Sequence, residues 1–232
     1  TGWKQRVLRK LMQRLYKRAD RIIAQTPEMK QEIMEHYRVS TTKVCVIFNP
    51  IDADLIRQQI QGENPFRTRG VNYLAVGNLT YAKAYDVLIR AFSVVLQSQP
   101  EAHLYILGRT ESAYAAEIMR QATLCSGHIH FEGFQANPYI YMVHCSVFVL
   151  SSRMEGCPNV LLEARYLKRR LVSTECVPIV HQIVQEGQNG YIVPVNDAEQ
   201  LANAMLRASQ LPVPLMTCAE GGGIKNSIAD IL

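Results

Sequence analysis

The chain has 232 residues, 48% hydrophobic and 19% charged, an ordinary globular composition with room for a large core. No apolar run approaches a membrane span and no signal-peptide pattern opens the chain. The six cysteines lack CxxC pairs, which argues against a disulfide frame or zinc site and for a reducing compartment. The formal charge of +5 is uneven: residues 1–21 hold a net +7 and the rest −2, so no basic surface runs the length of the chain and nucleic acid is not an expected partner.

Residues 3–19 read as an amphipathic helix. Trp3, Val7, Leu11 and Leu15 follow helical spacing, with Leu8, Met12 and Tyr16 beside them. Two readings stay open for it: a packed helix with a solvated basic face, or peripheral contact with an anionic membrane surface. Residues 21–25 form a short strand. Thr26-Pro27-Glu28 starts a helix that runs to about Tyr37, with Thr26 as N-cap and Pro27 in the first turn. Residues 43–48 form a second strand, ended by Asn49-Pro50-Ile51-Asp52. Asp52-Ala53-Asp54 has the spacing of a metal-binding Asp-x-Asp pair, but at a turn before a helix its aspartates read as caps. Residues 61–70 are a linker or exposed loop.

From Val71 strands and helices alternate. Strands are predicted at 71–76, 103–107, 129–132, 146–150, 171–174 and 190–193. Helices are predicted at 84–97, 111–125, 138–144, 159–168, 178–186 and 197–209. Apolar runs separated by helices mean a parallel sheet covered on both faces, an α/β Rossmann-like domain. The tail from Leu211, with two prolines and three successive glycines, reads as irregular.

Chemistry is predicted where strands stop. Val147–Leu150 ends at Ser151-Ser152. A loop, Arg153-Met154-Glu155-Gly156-Cys157-Pro158, leads to a helix from Asn159 through Val160 to Glu163 and beyond. Strand, polar loop and helix start aim backbone N–H groups and a helix dipole at a ligand above the strand. Two flanking carboxylates suit a ligand with an anionic middle and hydroxyl-rich ends. The first strand of this region ends at Gly77-Asn78, and Lys83 follows near the next helix start, where an ammonium group meets phosphate. Gly108-Arg109 and Gly133-Phe134 end the next two strands. The six histidines are dispersed without metal-ligand spacing, and His144 reads as structural. There is no Gly-x-Ser-x-Gly elbow and no Gly-x-Gly-x-x-Gly fingerprint.

The run Glu155-Gly156-x-Pro158-Asn159-x-x-x-Glu163-Ala164, directly after a buried strand, resembles the donor-binding half of the family 4 glycosyltransferases of GT-B fold. The resemblance spans about residues 15–210. It implies residues 1–60 as the end of an N-terminal acceptor-side domain, 61–210 as a nucleotide-sugar domain and 211–232 as a tail. It also implies a retaining, metal-independent transfer without a cofactor, from a UDP- or GDP-sugar to a glycan or lipid-linked acceptor of envelope polysaccharide assembly. The implied location is the cytoplasm, or the inner face of the cytoplasmic membrane.

By the same resemblance Glu163 holds the ribose, Lys83 and the amides near Asn159 hold the diphosphate, and Glu155 contacts the donor sugar. The backbone near Phe134 reads the base. Asn78 stands where the family has an arginine, and Ala84 where a glycine is usual. Either the phosphate grip is weaker here, or Arg153 or Arg109 reaches in. The family's glycine-containing sugar loop has no counterpart between Gly156 and Gly187. Two other functions remain beside transfer: a nucleotide-sugar-binding module that needs a partner, and a sugar-nucleotide epimerase, which the Glu-Gly-x-Pro-Asn run disfavours.

Overall fold

A computed structural model describes residues 2–212; most of the tail predicted from Leu211 lies outside them. The described residues fall into two compact units, 2–50 and 51–212.

The first unit contains α1 (Gly2–Arg18), β1 (Ile22–Ala24), α2 (Pro27–Tyr37) and β2 (Val44–Val46). β1 and β2 pair in parallel, Ile22 opposite Val44. Thr26 caps α2, its Oγ1 accepting the Met29 N–H at 3.1 Å. Ala24, Ile33, Val39 and Val44 form a small core. α1 holds to α2 by the stacked rings of Tyr16 and Tyr37, 4.4 Å apart, and by the Gln13 amide donating to the His36 carbonyl. The second strand is shorter than the predicted 43–48 at both ends: a Ser40-capped turn, Thr41–Lys43, takes up its start, and it stops at Val46.

The second unit runs α3 (Ala53–Gln59), β3 (Asn72–Val76), α4 (Tyr85–Ser98), β4 (His103–Leu107), α5 (Ala113–Gln121), β5 (Ile129–Gly133), α6 (Tyr139–His144), β6 (Val147–Leu150), α7 (Asn159–Tyr166), β7 (Arg170–Thr174), α8 (Val180–Ile183), β8 (Gly190–Val193) and α9 (Ala198–Gln210). Asp52 caps α3, accepting the Leu55 N–H at 2.9 Å, so this aspartate acts as the predicted cap. The six strands pair in parallel in the order β5-β4-β3-β6-β7-β8. All four residues of β6 are buried, as are Tyr73, Leu74 and Ala75 of β3, because helices cover both faces of the sheet's centre. α4 and α9 lie side by side over one face. α4 buries Val87, Leu88, Ala91, Phe92 and Val95; α9 buries Leu201, Ala202, Met205 and Ala208. These positions recur at helical spacing, which is why both helices are legible in the sequence.

Three predicted helices are shorter than expected. Residues 111–125 give α5 followed by a tighter turn, Ala122–Cys125. The Thr123 hydroxyl donates back to the Arg120 carbonyl at 2.7 Å, competing with the helix ladder. Residues 178–186 give only α8. The Gln185 N–H goes to the Asn189 side chain at 2.7 Å, and Arg165 donates to the carbonyls of Gln182 and Ile183. The helix predicted to Lys168 stops at Tyr166, and Lys168 takes φ +54. Cys125 and Cys145 are buried, and Cys45, Cys157 and Cys176 are half-buried; Cys218 lies outside the described residues.

Candidate functional site

The strand order reverses between β3 and β6. In an open parallel sheet the two strands there send their loops to opposite faces, and a crevice opens at their carboxyl ends. β3 and β6 pair only through Tyr73–Val147 and Leu74–Phe148, then part. The loops that leave them, residues 77–84 and 151–158, carry most of the residues singled out by sequence.

The floor is built from backbone. The Gly77 N–H donates to the Leu107 carbonyl and the Gly108 N–H to the Gly133 carbonyl, both at 2.8 Å. A Cβ on Gly108 would sit 2.0 Å from the Gly77 carbonyl oxygen, and its φ is +156; only glycine fits that approach. The Tyr85 hydroxyl donates to the Gly77 carbonyl at 2.7 Å. Asn78, exposed, accepts the Arg109 N–H on its Oδ1 at 3.1 Å. It clips the loop after β3 to the loop after β4, so the position of the expected arginine holds a neutral tie. Ala84 is buried at φ +52, the left-handed turn into α4 that favours the glycine usual in the resembled family.

The two loops lock together over this floor. The Ser151 hydroxyl donates to the Lys83 carbonyl at 2.8 Å, and the Arg153 N–H to the Ala82 carbonyl at 2.7 Å. Lys83 Nζ and the Ser152 hydroxyl both donate to Glu155 Oε1 at 2.6 Å. The Lys83 and Glu155 side chains are 23% and 13% exposed, so the ion pair is largely shielded from solvent. The Thr174 hydroxyl donates to the Ser152 carbonyl at 2.5 Å and steadies the serine from β7.

Arg153 is in the crevice wall but is engaged elsewhere. Its guanidinium makes a two-point pair with Asp86, at 2.9 and 2.7 Å, donates to the Tyr81 carbonyl and Asn196 Oδ1, and lies 4.2 Å over the Tyr81 ring. Partial burial opposes the charge on Asp86, but hydrogen bonds from Arg153 and Tyr114 outweigh it and hold the carboxyl below its ordinary 3.8. A carboxyl lowered in this way adds stability above its unfolded value and loses it as pH falls through the folded value. Arg153→Ala is therefore expected to cost on the order of 1–3 kcal/mol at neutral pH. The deficit against the parent protein shrinks as pH falls below 3.8 and through the folded value of Asp86; urea unfolding at neutral and at acid pH measures it.

At the start of α7, Pro158 is buried, Gly156 and Asn159 are exposed and Val160 is half-buried. The Asn159 N–H donates to the Cys157 carbonyl and the Leu161 N–H to the Pro158 carbonyl, both at 3.0 Å, so these two amides are engaged inside the turn. Glu163 is half-buried one turn further on and accepts the Tyr139 hydroxyl at 3.2 Å. Burial pushes its carboxyl pKa up, the Tyr139 bond opposing. Burial and the neighbouring carboxylate push the Tyr139 phenol up to about 12. Phe134 is 66% exposed, with the Arg109 guanidinium 5.5 Å from its ring centre.

Tyr85, Asp86, Thr174 and Tyr139 join Ser152 in organising the site, and no sequence signal marks these four for it. Asp86 reads as an ordinary first-turn acid, and nothing local reveals a partner 67 residues away. A roomier recess of about 250 Å³ lies between β8 and α9. Its charged groups are already engaged: Glu186 accepts the Ile192 N–H at 2.6 Å, and Arg207 covers the Tyr191 ring. The structure also gathers three histidines that look dispersed in the sequence. His103 and His130 meet nitrogen to nitrogen at 3.1 Å, and His128 stacks on His103. Burial, and then mutual charge on His103, hold His103 and His130 below the ordinary imidazole value.

Residues 70–210 match the family model described as glycosyl transferases group 1, and residues 1–55 that described as Glycosyltransferase Family 4. The chain belongs to the group 1 glycosyl transferase family, whose model covers more than half of it. It is 33% identical over 167 residues to an uncharacterized glycosyltransferase of Methanocaldococcus jannaschii, covering 69% of this chain and 41% of the relative. It is 26% identical over 194 residues to the Campylobacter jejuni N-acetylgalactosamine-N,N'-diacetylbacillosaminyl-diphospho-undecaprenol 4-alpha-N-acetylgalactosaminyltransferase, covering 82% of this chain and 51% of that enzyme. The fold is that of the GT-B glycosyltransferases: Anabaena HepE, solved with UDP and glucose, superposes with a TM-score of 0.71 at 20% identity, over 87% of this chain and 58% of that one. The chain thus spans about half the length of these relatives.

Proposed function

We propose that residues 51–212 bind the nucleotide-sugar donor of a retaining glycosyltransferase that uses no metal ion. The observation that carries this reading is the Lys83–Glu155 pair in the crevice between β3 and β6, with Glu163 half-buried one turn into the adjoining helix. In this assignment the Glu163 carboxylate accepts the ribose hydroxyls. Lys83 and the N-terminal end of α7 face the diphosphate, and Glu155 faces the donor sugar. During transfer the bond from the anomeric carbon to the diphosphate oxygen breaks and one to an acceptor hydroxyl forms. The acceptor proton leaves with the departing diphosphate. The Lys83 ammonium group and the helix dipole stabilise the charge that develops there.

The donor is a UDP- or GDP-sugar, and the acceptor a glycan or lipid-linked sugar of the cell envelope, used on the cytoplasmic side. The name of the Campylobacter relative, which specifies a diphospho-undecaprenol-linked substrate, and the UDP in the Anabaena structure support this choice. Calorimetric titration with UDP, GDP and ADP, with and without magnesium, tests it. One nucleotide should bind saturably and indifferently to magnesium. Binding of none by the folded chain, or binding that requires magnesium, contradicts the assignment. Binding without transfer to any acceptor by the chain alone would mark it as a donor-binding module that acts with a partner.

A further inference from the structure

The segment that carries Lys83 has little strength of its own. Tyr81–Lys83 is one tight helical turn, and it ends in Ala84, a residue with a side chain at φ +52. Two bonds close it: the Lys83 N–H donates to the Thr80 carbonyl at 3.0 Å and the Ala84 N–H to the Tyr81 carbonyl at 3.2 Å. A single tight turn has poor hydrogen-bond geometry, and left-handed backbone without glycine costs energy.

The loop after β6 supplies what the turn lacks. Three successive carbonyls of the turn accept from Ser151 and Arg153. The Arg153 guanidinium donates to the Tyr81 carbonyl at 2.8 Å, the Arg153 N–H to that of Ala82 at 2.7 Å, and the Ser151 hydroxyl to that of Lys83 at 2.8 Å. The guanidinium also lies 4.2 Å over the Tyr81 ring. Two residues past Arg153 stands Glu155, the partner of Lys83. One short segment therefore holds both ends of the ion pair.

Asp86 in turn holds Arg153. It lies in the first turn of α4, where the helix dipole favours a carboxylate. Its two oxygens accept from Arg153 at 2.9 and 2.7 Å, and the Tyr114 hydroxyl adds a bond at 3.0 Å. The Arg153 and Asp86 side chains are only 14% and 23% exposed. A planar guanidinium serves the carboxylate and the Tyr81 carbonyl together, a fork that an ammonium group cannot match. To reach a phosphate Arg153 would have to leave Asp86, whose other cationic neighbour among the described residues, Arg90, stands 3.9 Å away. All of these groups belong to the second compact unit.

We propose that Arg153, gripped by Asp86, is a positioning residue of this site: it fixes the turn that presents Lys83 opposite Glu155 and does not itself contact the diphosphate. The link to a ligand rests on the donor-site reading given above; the fixing of Lys83 is tested with no ligand at all.

Arg153→Lys keeps the charge and Asp86→Asn the shape, and each removes the fork. The readout is brief acylation of Lys83 by acetic anhydride in the folded protein, followed by mass spectrometry relative to the exposed Lys10. Both variants should raise Lys83 labelling severalfold, because a loosened turn lets the amine leave Glu155 for water. Calorimetry with UDP and GDP should show binding about tenfold weaker in both. An arginine that served the fold alone would lower the urea midpoint and leave the labelling of the folded chain unchanged. Ser151→Ala removes one neutral bond to the Lys83 carbonyl and should raise labelling in the same direction, a second reading should the charged variants fail to fold. Unchanged Lys83 labelling in the folded variants overturns the inference. So does tighter nucleotide binding by Asp86→Asn, the result expected of an arginine released to grip phosphate. If the parent chain binds neither nucleotide, the donor-site reading fails, and the labelling alone decides whether Arg153 positions Lys83.

Discussion

Glu163→Gln is expected to weaken nucleoside diphosphate binding by about 10- to 100-fold and to make the unliganded protein more stable at neutral pH. The first effect follows from losing charge-assisted hydrogen bonds to ribose hydroxyls, worth about 1.5–3 kcal/mol. The second follows from where the carboxylate sits. Burial raises its pKa above the ordinary 4.5, and Tyr139 only partly compensates. An acid raised in the folded state binds its proton more tightly there than in the unfolded chain. Stability therefore falls as pH rises from 4.5 through the folded value, and the penalty is complete above it. Glutamine keeps an acceptor for Tyr139 and carries no charge to desolvate. Thermal unfolding across the acidic range should show the variant's advantage at neutral pH fading below about pH 4.5. A variant that loses both binding and stability would mean that Glu163 holds the fold together and not the ligand.

Lys83→Met is the second large effect, and it is expected in both stability and binding. It leaves Glu155 shielded with only Ser152 as its charge-stabilising partner among the contacts seen. Breaking one side of such a pair costs about 3–5 kcal/mol, seen as an early midpoint in urea unfolding. Adding Glu155→Gln to the same chain should recover most of that loss, because no buried charge is then unpaired. Binding should not recover in the double variant, since the ammonium group that meets the diphosphate is gone. Glu155→Gln alone should bind UDP more tightly than the parent chain, because Lys83 then no longer has to be shared with a carboxylate. These outcomes separate the structural share of the pair from its ligand share. Urea unfolding and calorimetry on the same four proteins measure both.

Much of this architecture is written in local patterns. The buried runs Val147–Leu150 and Asn72–Val76 announce central parallel strands, and the 3.6-residue spacing in α4 and α9 announces the helices over them. The loop Glu155-Gly156-x-Pro158-Asn159 and the glycines at 77 and 108 mark strand ends, and at Gly108 the reason is a backbone that approaches the Gly77 carbonyl too closely for any side chain. Asn78 is the opposite case. Its sequence shows only a missing arginine, and its tie to Arg109 appears only when β3 and β4 stand side by side. Arg153 reads from sequence as a candidate cation for phosphate, but Asp86, Tyr81 and Asn196 take up its donors. A partner across 67 residues leaves no local trace. The short α8 escapes for a similar reason, since Arg165 and Asn189 claim its backbone groups from outside the segment.

The most direct test of the donor site is a crystal structure of the chain with UDP or GDP, whichever calorimetry shows to bind. The expected complex has the ribose hydroxyls on Glu163, the diphosphate before the N-terminal end of α7, and Lys83 Nζ turned from Glu155 toward the phosphates. A nucleotide seated in the recess between β8 and α9, or one that leaves the 2.6 Å Lys83–Glu155 contact unbroken and Glu163 untouched, would contradict it.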